Sequence, residues 1–213
     1  MSAPATSRRG QREAKPRQGD RREQAILDAT RILLADAPLS DLTIEQIATA
    51  AGVARSSLYF YFADKAQILL VLYSDVLEEM SAELEQWFAD PARHAEPWSH
   101  ASITAAVAVA RSNANVVCAA LDNRGAHPEI DHALSMYFER AVERCTLLIE
   151  RERAAGLAPT AGPSAHALAR ALMHMTLHSI HELLRAGASD AEAQELIGTL
   201  TVLWARGVRN EPA

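Results

Sequence analysis

The chain has 213 residues, of which 49% are hydrophobic and 23% charged, enough apolar material to bury a core in one domain or in a small domain plus a larger one. Its formal net charge of -6 is unevenly placed: residues 1–65 hold ten Lys or Arg against eight Asp or Glu, a net +2, which leaves -8 for the remainder. No stretch approaches the ~18 uncharged apolar residues of a membrane span, no apolar segment follows the N-terminal basic residues as a secretory signal requires, and Cys118 and Cys145 lie in separate apolar segments as free thiols of a reducing compartment would. A cytoplasmic protein with no membrane association is expected.

Arg8, Arg9, Arg12, Lys15, Arg17, Arg21 and Arg22 sit among Ser, Pro, Gly and Gln without apolar periodicity, so residues 1–19 read as a flexible basic arm. Such an arm either follows DNA phosphates and the minor groove or serves as a solubilising tail. Asp20 to Ala37 is the first predicted helix, with Ile26, Ala29, Thr30, Leu33 and Ala37 on one face and Pro38 as its stop. The run from Thr43 to Lys65, TIEQIATAAGVARSSLYFYFADK, then reads as two short helices joined by a tight turn. Thr43 and Gln46 have the spacing of a capping box, Leu42 can staple onto Ile47, and Gly52 can take the left-handed conformation that closes the helix. In the following helix, Ala54 to Tyr61, the positions Val53, Leu58 and Phe62 turn inward and leave Arg55, Ser56, Ser57, Tyr59 and Tyr61 for the other faces. Asp64 with Gln67 caps the next helix and places Lys65 on its first turn, where a cation and backbone N–H groups together hold a phosphate. Residues 20–66 are thus a predicted helix-turn-helix DNA-binding domain.

Residues 67–213 form the predicted second unit. Ile68, Leu69, Leu72, Val76 and Met80 stripe a helix from Asp64 to about Phe88, residues 91–97 form a loop, and an Ala- and Val-rich helix runs from Trp98 to Asn113. Shorter and longer helices follow at 115–123 and 128–155, the latter with Ile130, Leu134, Phe138, Ala141, Cys145, Leu148 and Glu152 along one line and a charged opposite face; Glu139, Glu143, Glu150 and Glu152 are read as carboxylates lying mainly on charged faces. After the Gly- and Pro-rich 156–163 come helices at 164–186 and 190–208, the last opened by a Ser189/Glu192 capping box. An all-α fold of about nine helices results. His174, His178 and His181 share one helix face within about 60°. They suit either hydrogen bonding in a pocket or dimer seam, or a transition metal. Met175 stands where a metalloprotease motif would need Glu. No nucleophile elbow, Gly-rich phosphate loop or Cys-x-x-Cys pair occurs, which argues against an enzyme.

The AGV turn, the Tyr-x-Tyr-Phe and the Lys that follows resemble the DNA-binding signature of TetR-family transcriptional repressors. The variant LYFYF, with weaker similarity through the last two helices, is closest to the EthR-like subgroup. One departure is Ala54, where the family usually has Ser or Thr at the cap of the recognition helix. The resemblance implies a helix-turn-helix domain plus a helical ligand-binding and dimerisation bundle, double-stranded operator DNA as partner, a homodimer through the last two helices, and a repressor released by a small apolar or amphiphilic effector. No cofactor is implied. The apolar faces of the last two helices also exceed what a monomer should expose. Arg55, Ser56, Ser57, Tyr59 and Tyr61 are the expected base or nearby contacts, Thr43 and Lys65 the phosphate contacts, and Phe60 either a thymine-methyl contact or a core residue. Trp98, Leu134, Phe138, Ala141, Cys145, Met175 and Trp204 are the expected pocket lining, with His174 and His178 as its polar points. A metal-responsive repressor using His174, His178 and His181 is the alternative.

Overall fold

The computed structural model describes residues 18–89 and 98–209. Nearly all of the basic arm and the loop expected at 91–97 therefore lie outside the described residues. Those described form nine α-helices and one 3-10 turn, with no strand: α1 Gln18–Asp36, the turn Leu39–Asp41, α2 Ile44–Ala50, α3 Arg55–Tyr61, α4 Lys65–Ala89, α5 Trp98–Ser112, α6 Ala114–Asn123, α7 Pro128–Ala154, α8 Ala165–Arg185 and α9 Asp190–Arg209. Each expected helix is present to within two residues at either end.

Local chemistry accounts for the helix-turn-helix. Thr43 Oγ1 accepts from the Gln46 N–H at 3.2 Å while Gln46 Oε1 accepts from the Thr43 N–H at 2.8 Å, so α2 begins with both halves of its capping box in place. Its end is a Schellman closure in which the Val53 N–H donates to the Ala48 carbonyl and the Gly52 N–H to the Thr49 carbonyl. Gly52 holds φ +65° there, and nothing lies within 4 Å of where a Cβ would stand. The α3 cap is Ala54, which has no side-chain bond to give. Its carbonyl instead accepts from the Ser57 and Leu58 N–H groups, and α3 starts one residue later than expected. At α4, Asp64 Oδ1 accepts from the Gln67 N–H at 2.8 Å.

One apolar cluster joins Ile26 and Leu34 of α1, Leu39, Ile47, Leu58 and Phe62 to Ile68, Leu69 and Leu72 of α4, and continues through Val116 and Ala120 of α6 to Ile130 of α7. Packing thus runs unbroken across the division expected at residue 66. A second cluster joins α5, α7, α8 and α9 through Ile103, Phe138, Cys145, Ile149, Ile180 and Trp204. Between α5 and α6 the chain turns by 83°. Buried Asn113 marks that bend: its amide donates to the Val109 carbonyl at 3.0 Å and its oxygen accepts from Arg31 of α1. Asn115 Nδ2 donates to the Arg31 carbonyl, which completes the tie between α1 and the bend.

Glu152 corrects one expectation. It lies on the apolar line of α7, as its spacing implies, and not among the charged-face carboxylates: it is 5% exposed and takes a two-point pair from Arg209 of α9, at 2.6 and 3.0 Å. No single described helix is long and apolar enough to cross a membrane.

Because nothing crowds a Cβ at Gly52, the cost of Gly52→Ala is backbone strain alone, about 1 kcal/mol of unfolding free energy. Gly125→Ala, at a glycine with open space and no positive φ, should leave stability unchanged or slightly raised. Urea denaturation of the two variants reads the difference, and equal stabilities would contradict the account of the α2–α3 turn.

Candidate functional site

Two regions gather side chains that the core does not use. The first is the outer face of α3. Leu58 is fully buried and Phe62 nearly so, which fixes the roll of this seven-residue helix and turns Arg55, Ser56, Tyr59 and Phe60 to solvent, with Ser57 and Tyr61 half-buried. Phe60 is 83% exposed, so of its two expected roles the core role is excluded. Tyr61 stacks edge-on against Phe60 with ring centroids 5.2 Å apart, and its hydroxyl lies beside Gly19 at the start of α1. Arg55 Nη2 donates to the Tyr59 hydroxyl at 3.4 Å, and its guanidinium carbon lies 5.7 Å from the Tyr59 ring centroid. It also faces Glu45 of α2 at 3.6 Å. The Tyr59 hydrogen bond, with Glu45 a lesser cause, raises the Arg55 pKa further.

Thr43 and Lys65 flank this face, and both already have protein partners. The Thr43 hydroxyl donates to Gln46 Oε1 at 2.8 Å within the capping box. Lys65 Nζ donates to the carbonyls of Ser40 and Leu42 at 2.9 and 2.8 Å, tying α4 to the segment that precedes α2. That structural role is additional to the phosphate role expected from the sequence, and carbonyls 23 and 25 residues away gave no signal for it.

The second region is a cavity of about 430 Å³ walled mainly by α4, α7 and α8, with smaller contributions from α5 and α6. Of the residues expected to line an effector pocket, Leu134, Phe138, His174 and His178 do so here, and His181 joins them. His174 stacks against Phe138 with centroids 4.1 Å apart, and the Arg170 guanidinium lies 5.3 Å from the same Phe138 centroid. Ala141, Cys145, Met175 and Trp204 are not part of this wall. Ala141, Cys145 and Trp204 are buried in the α7–α8–α9 core, and Met175 packs against it. Trp204 Nε1 donates to buried Thr176 Oγ1 at 2.8 Å, locking α9 onto α8, and burial pushes the Cys145 thiol up to about 12. Trp98 opens α5, but its side chain lies outside the described residues.

Sequence periodicity missed the polar part of this wall. Tyr73 of α4, Tyr137 of α7 and the pairs Arg170–Glu139 (2.6 Å) and Arg124–Asp131 (3.8 Å) all belong to it. Tyr73 hid in an apolar stripe, and carboxylates on α7 reach the histidine face of α8 only through the fold. Burial raises both phenol pKa values well above the ordinary range, and burial, then Arg185, lowers that of His181. Among the described residues, no group of three His, Cys, Asp or Glu is placed to hold a metal ion.

A short helix-turn-helix with exposed polar and aromatic residues on its second helix, carried by a helical bundle with a cavity, defines a DNA-binding regulator. Family models agree: residues 26–72 match the bacterial regulatory proteins of the tetR family, and residues 98–209, more than half of the chain, match the C-terminal domain of the transcriptional regulator EthR. The chain therefore belongs to the TetR family of transcriptional regulators, in its EthR-like branch. It is 29% identical over 204 residues to the HTH-type transcriptional regulator EthR of Mycobacterium tuberculosis, covering 95% of this chain and 94% of that protein. Over 72 residues, 34% of this chain and 36% of the relative, it is 39% identical to the HTH-type transcriptional repressor LfrR of Mycolicibacterium smegmatis. Among solved structures it resembles NalD, the secondary repressor of the MexAB-OprM multidrug efflux pump in Pseudomonas aeruginosa, with a TM-score of 0.70 at 21% identity, over 92% of this chain and all of that one. At that identity the likeness concerns the fold.

Removing the two carbonyl contacts of a charged donor should make Lys65→Ala about 1–2 kcal/mol less stable than the parent, read by urea denaturation without DNA. A variant as stable as the parent would show that the tie from α4 to Ser40 and Leu42 contributes nothing to the fold.

Proposed function

We propose that the protein is a cytoplasmic repressor that binds a near-palindromic operator as a homodimer and is released by a small, mostly apolar or amphiphilic molecule seated in the cavity walled by α4, α7 and α8. The observation that carries the DNA reading is Phe60, an aromatic ring left in water on a seven-residue helix beside Tyr59, Arg55 and Ser56. Such a face suits the major groove, where serine and arginine meet base edges and an apolar ring meets a thymine methyl. Tyr61 and Ser57, at its half-buried edge, contact the backbone or the nearest bases, and Thr43 and Lys65 lie where phosphates would pass. The basic residues of 1–17 supply further phosphate contacts, which offsets the acidic balance of the rest.

Support for the dimer comes from α9, which exposes Val202 and Leu203 beside Gly198, a position with open space around it. A second copy packing α8 and α9 against these would set the two α3 helices about one DNA turn, ~34 Å, apart. Support for effector release comes from α4, since Tyr73, Leu77 and Met80 line the cavity on the helix whose first turns hold α1–α3. A ligand that prefers the conformation unable to span two half-sites lowers operator affinity by the ratio of its two affinities. An organic ligand is favoured over a metal because the His174 ring packs, tilted by 38°, against Phe138, and about half of the wall is apolar or aromatic, including Leu77, Met80, Leu134 and Leu177.

A gel shift on the duplex upstream of the protein's own gene tests the reading. Tyr59→Ala and Phe60→Ala, both at exposed positions, should each weaken binding by about tenfold or more with thermal stability unchanged, and the affinity should fall steeply with salt. Two variants that bind as tightly as the parent would mean that α3 does not read DNA.

A further inference from the structure

Three hydrogen-bonding groups on the cavity wall lack protein partners, and they come from three different helices. His181 of α8 has a fully enclosed Nε2 that meets no donor or acceptor. Tyr73 of α4 and Tyr137 of α7 present phenol hydroxyls with no hydrogen-bond partner among the described residues. An enclosed polar atom is almost always paired, so the unpaired His181 Nε2, with two unbonded phenols lining the same cavity, points to something that fills it.

The charges on the wall, by contrast, are already matched. Arg170 holds Glu139 at 2.6 Å, and Arg124 faces Asp131 at 3.8 Å. Both pairs are about half-exposed, and an entering carboxylate or ammonium would have to compete with the partner already in place for its counter-ion.

Resting on the reading of this cavity as an effector site, we propose that its ligand is uncharged and presents an alcohol, carbonyl or amide group to His181 Nε2 and the Tyr73 and Tyr137 hydroxyls, with an apolar remainder against Leu77, Met80, Leu134 and Leu177. The three receiving groups are themselves neutral at neutral pH. Burial and Arg185 hold the imidazole below its ordinary pKa, and burial holds both phenols above theirs. A neutral imidazole and two phenols offer donors and acceptors together, which suits an amide or alcohol that does the same. His181, Tyr73 and Tyr137 are accordingly specificity-determining residues, and His174, packed at a tilt against Phe138, adds ring surface.

Calorimetric titration of the full chain with four probes that share an eight-carbon chain tests this: octanamide, 1-octanol, octanoate and octylamine at neutral pH. The two uncharged probes should bind at least about tenfold more tightly than the two ions, and the Tyr73→Phe/Tyr137→Phe variant or His181→Leu should bind octanamide about tenfold more weakly than the parent. Nitrogen-15 spectra of the histidine side chains give a readout that needs no variant: the His181 Nε2 resonance should shift on adding octanamide. An ion that binds as tightly as octanamide, variants that bind octanamide like the parent, an unmoved Nε2 resonance, or no binding of any probe up to its solubility would each overturn the proposal. The repressor reading fails separately. Octanamide that binds with the expected preference yet leaves operator affinity unchanged removes effector release and keeps the ligand class, whereas operator release by octanoate does the reverse.

Discussion

Three short helices cannot bury enough apolar surface to hold themselves together, and in this protein α4 supplies what they lack. Ile68, Leu69 and Leu72 on its first two turns complete the core under α1, α2 and α3, and Lys65 at its start bonds the carbonyls ahead of α2. One turn further along, Tyr73, Leu77 and Met80 form a wall of the cavity. A rigid helix whose one end shapes the helix-turn-helix and whose middle lines a cavity cannot change at one place without cost at the other. The tie between α1 and the α5–α6 bend, through Arg31, Asn113 and Asn115, adds a second connection between the same two parts.

The two sites use opposite chemistry. On α3 the side chains that matter stand in water, and their exposure is fixed by the burial of Leu58 and Phe62 beneath them. In the cavity the groups that matter are wholly or partly buried, and ion pairs already matched leave hydrogen bonding rather than net charge to choose the occupant. Linkage through α4 makes any coupling reciprocal: a molecule that weakens DNA binding by some factor is itself bound more weakly, by the same factor, when DNA is present.

Much of this was legible in the sequence because it is local. The capping box at Thr43, the glycine closure at Gly52, the Ser189 cap and the helical periodicities all depend on residues within five positions of one another, and every expected helix is found. The EthR-like branch was readable from the LYFYF run and the last two helices, and the family models bear it out. What could not be read depends on contacts distant in sequence. Glu152 stood on an apolar line yet was grouped with surface carboxylates, because the partner that lets it be buried, Arg209, lies 57 residues away. Cys145 and Trp204 have the composition of a pocket lining yet pack in the α7–α8–α9 core, since helical roll by a few tens of degrees decides whether an apolar side chain meets a neighbour or a void. Tyr73 and Tyr137 were lost among apolar neighbours for the same reason, and their hydroxyls acquire meaning only where three helices enclose one space.

The central claim is that occupancy of the cavity and occupancy of the operator exclude one another through α4. Native mass spectrometry of the full chain with the duplex upstream of its gene tests this directly, using any cavity ligand, whether retained through purification or supplied. The account predicts two chains of 23.1 kDa on each bound duplex without the small molecule, and free dimers carrying it, with the first species converting to the second as ligand is added. A species holding dimer, duplex and ligand together at the abundance expected for independent binding would contradict it.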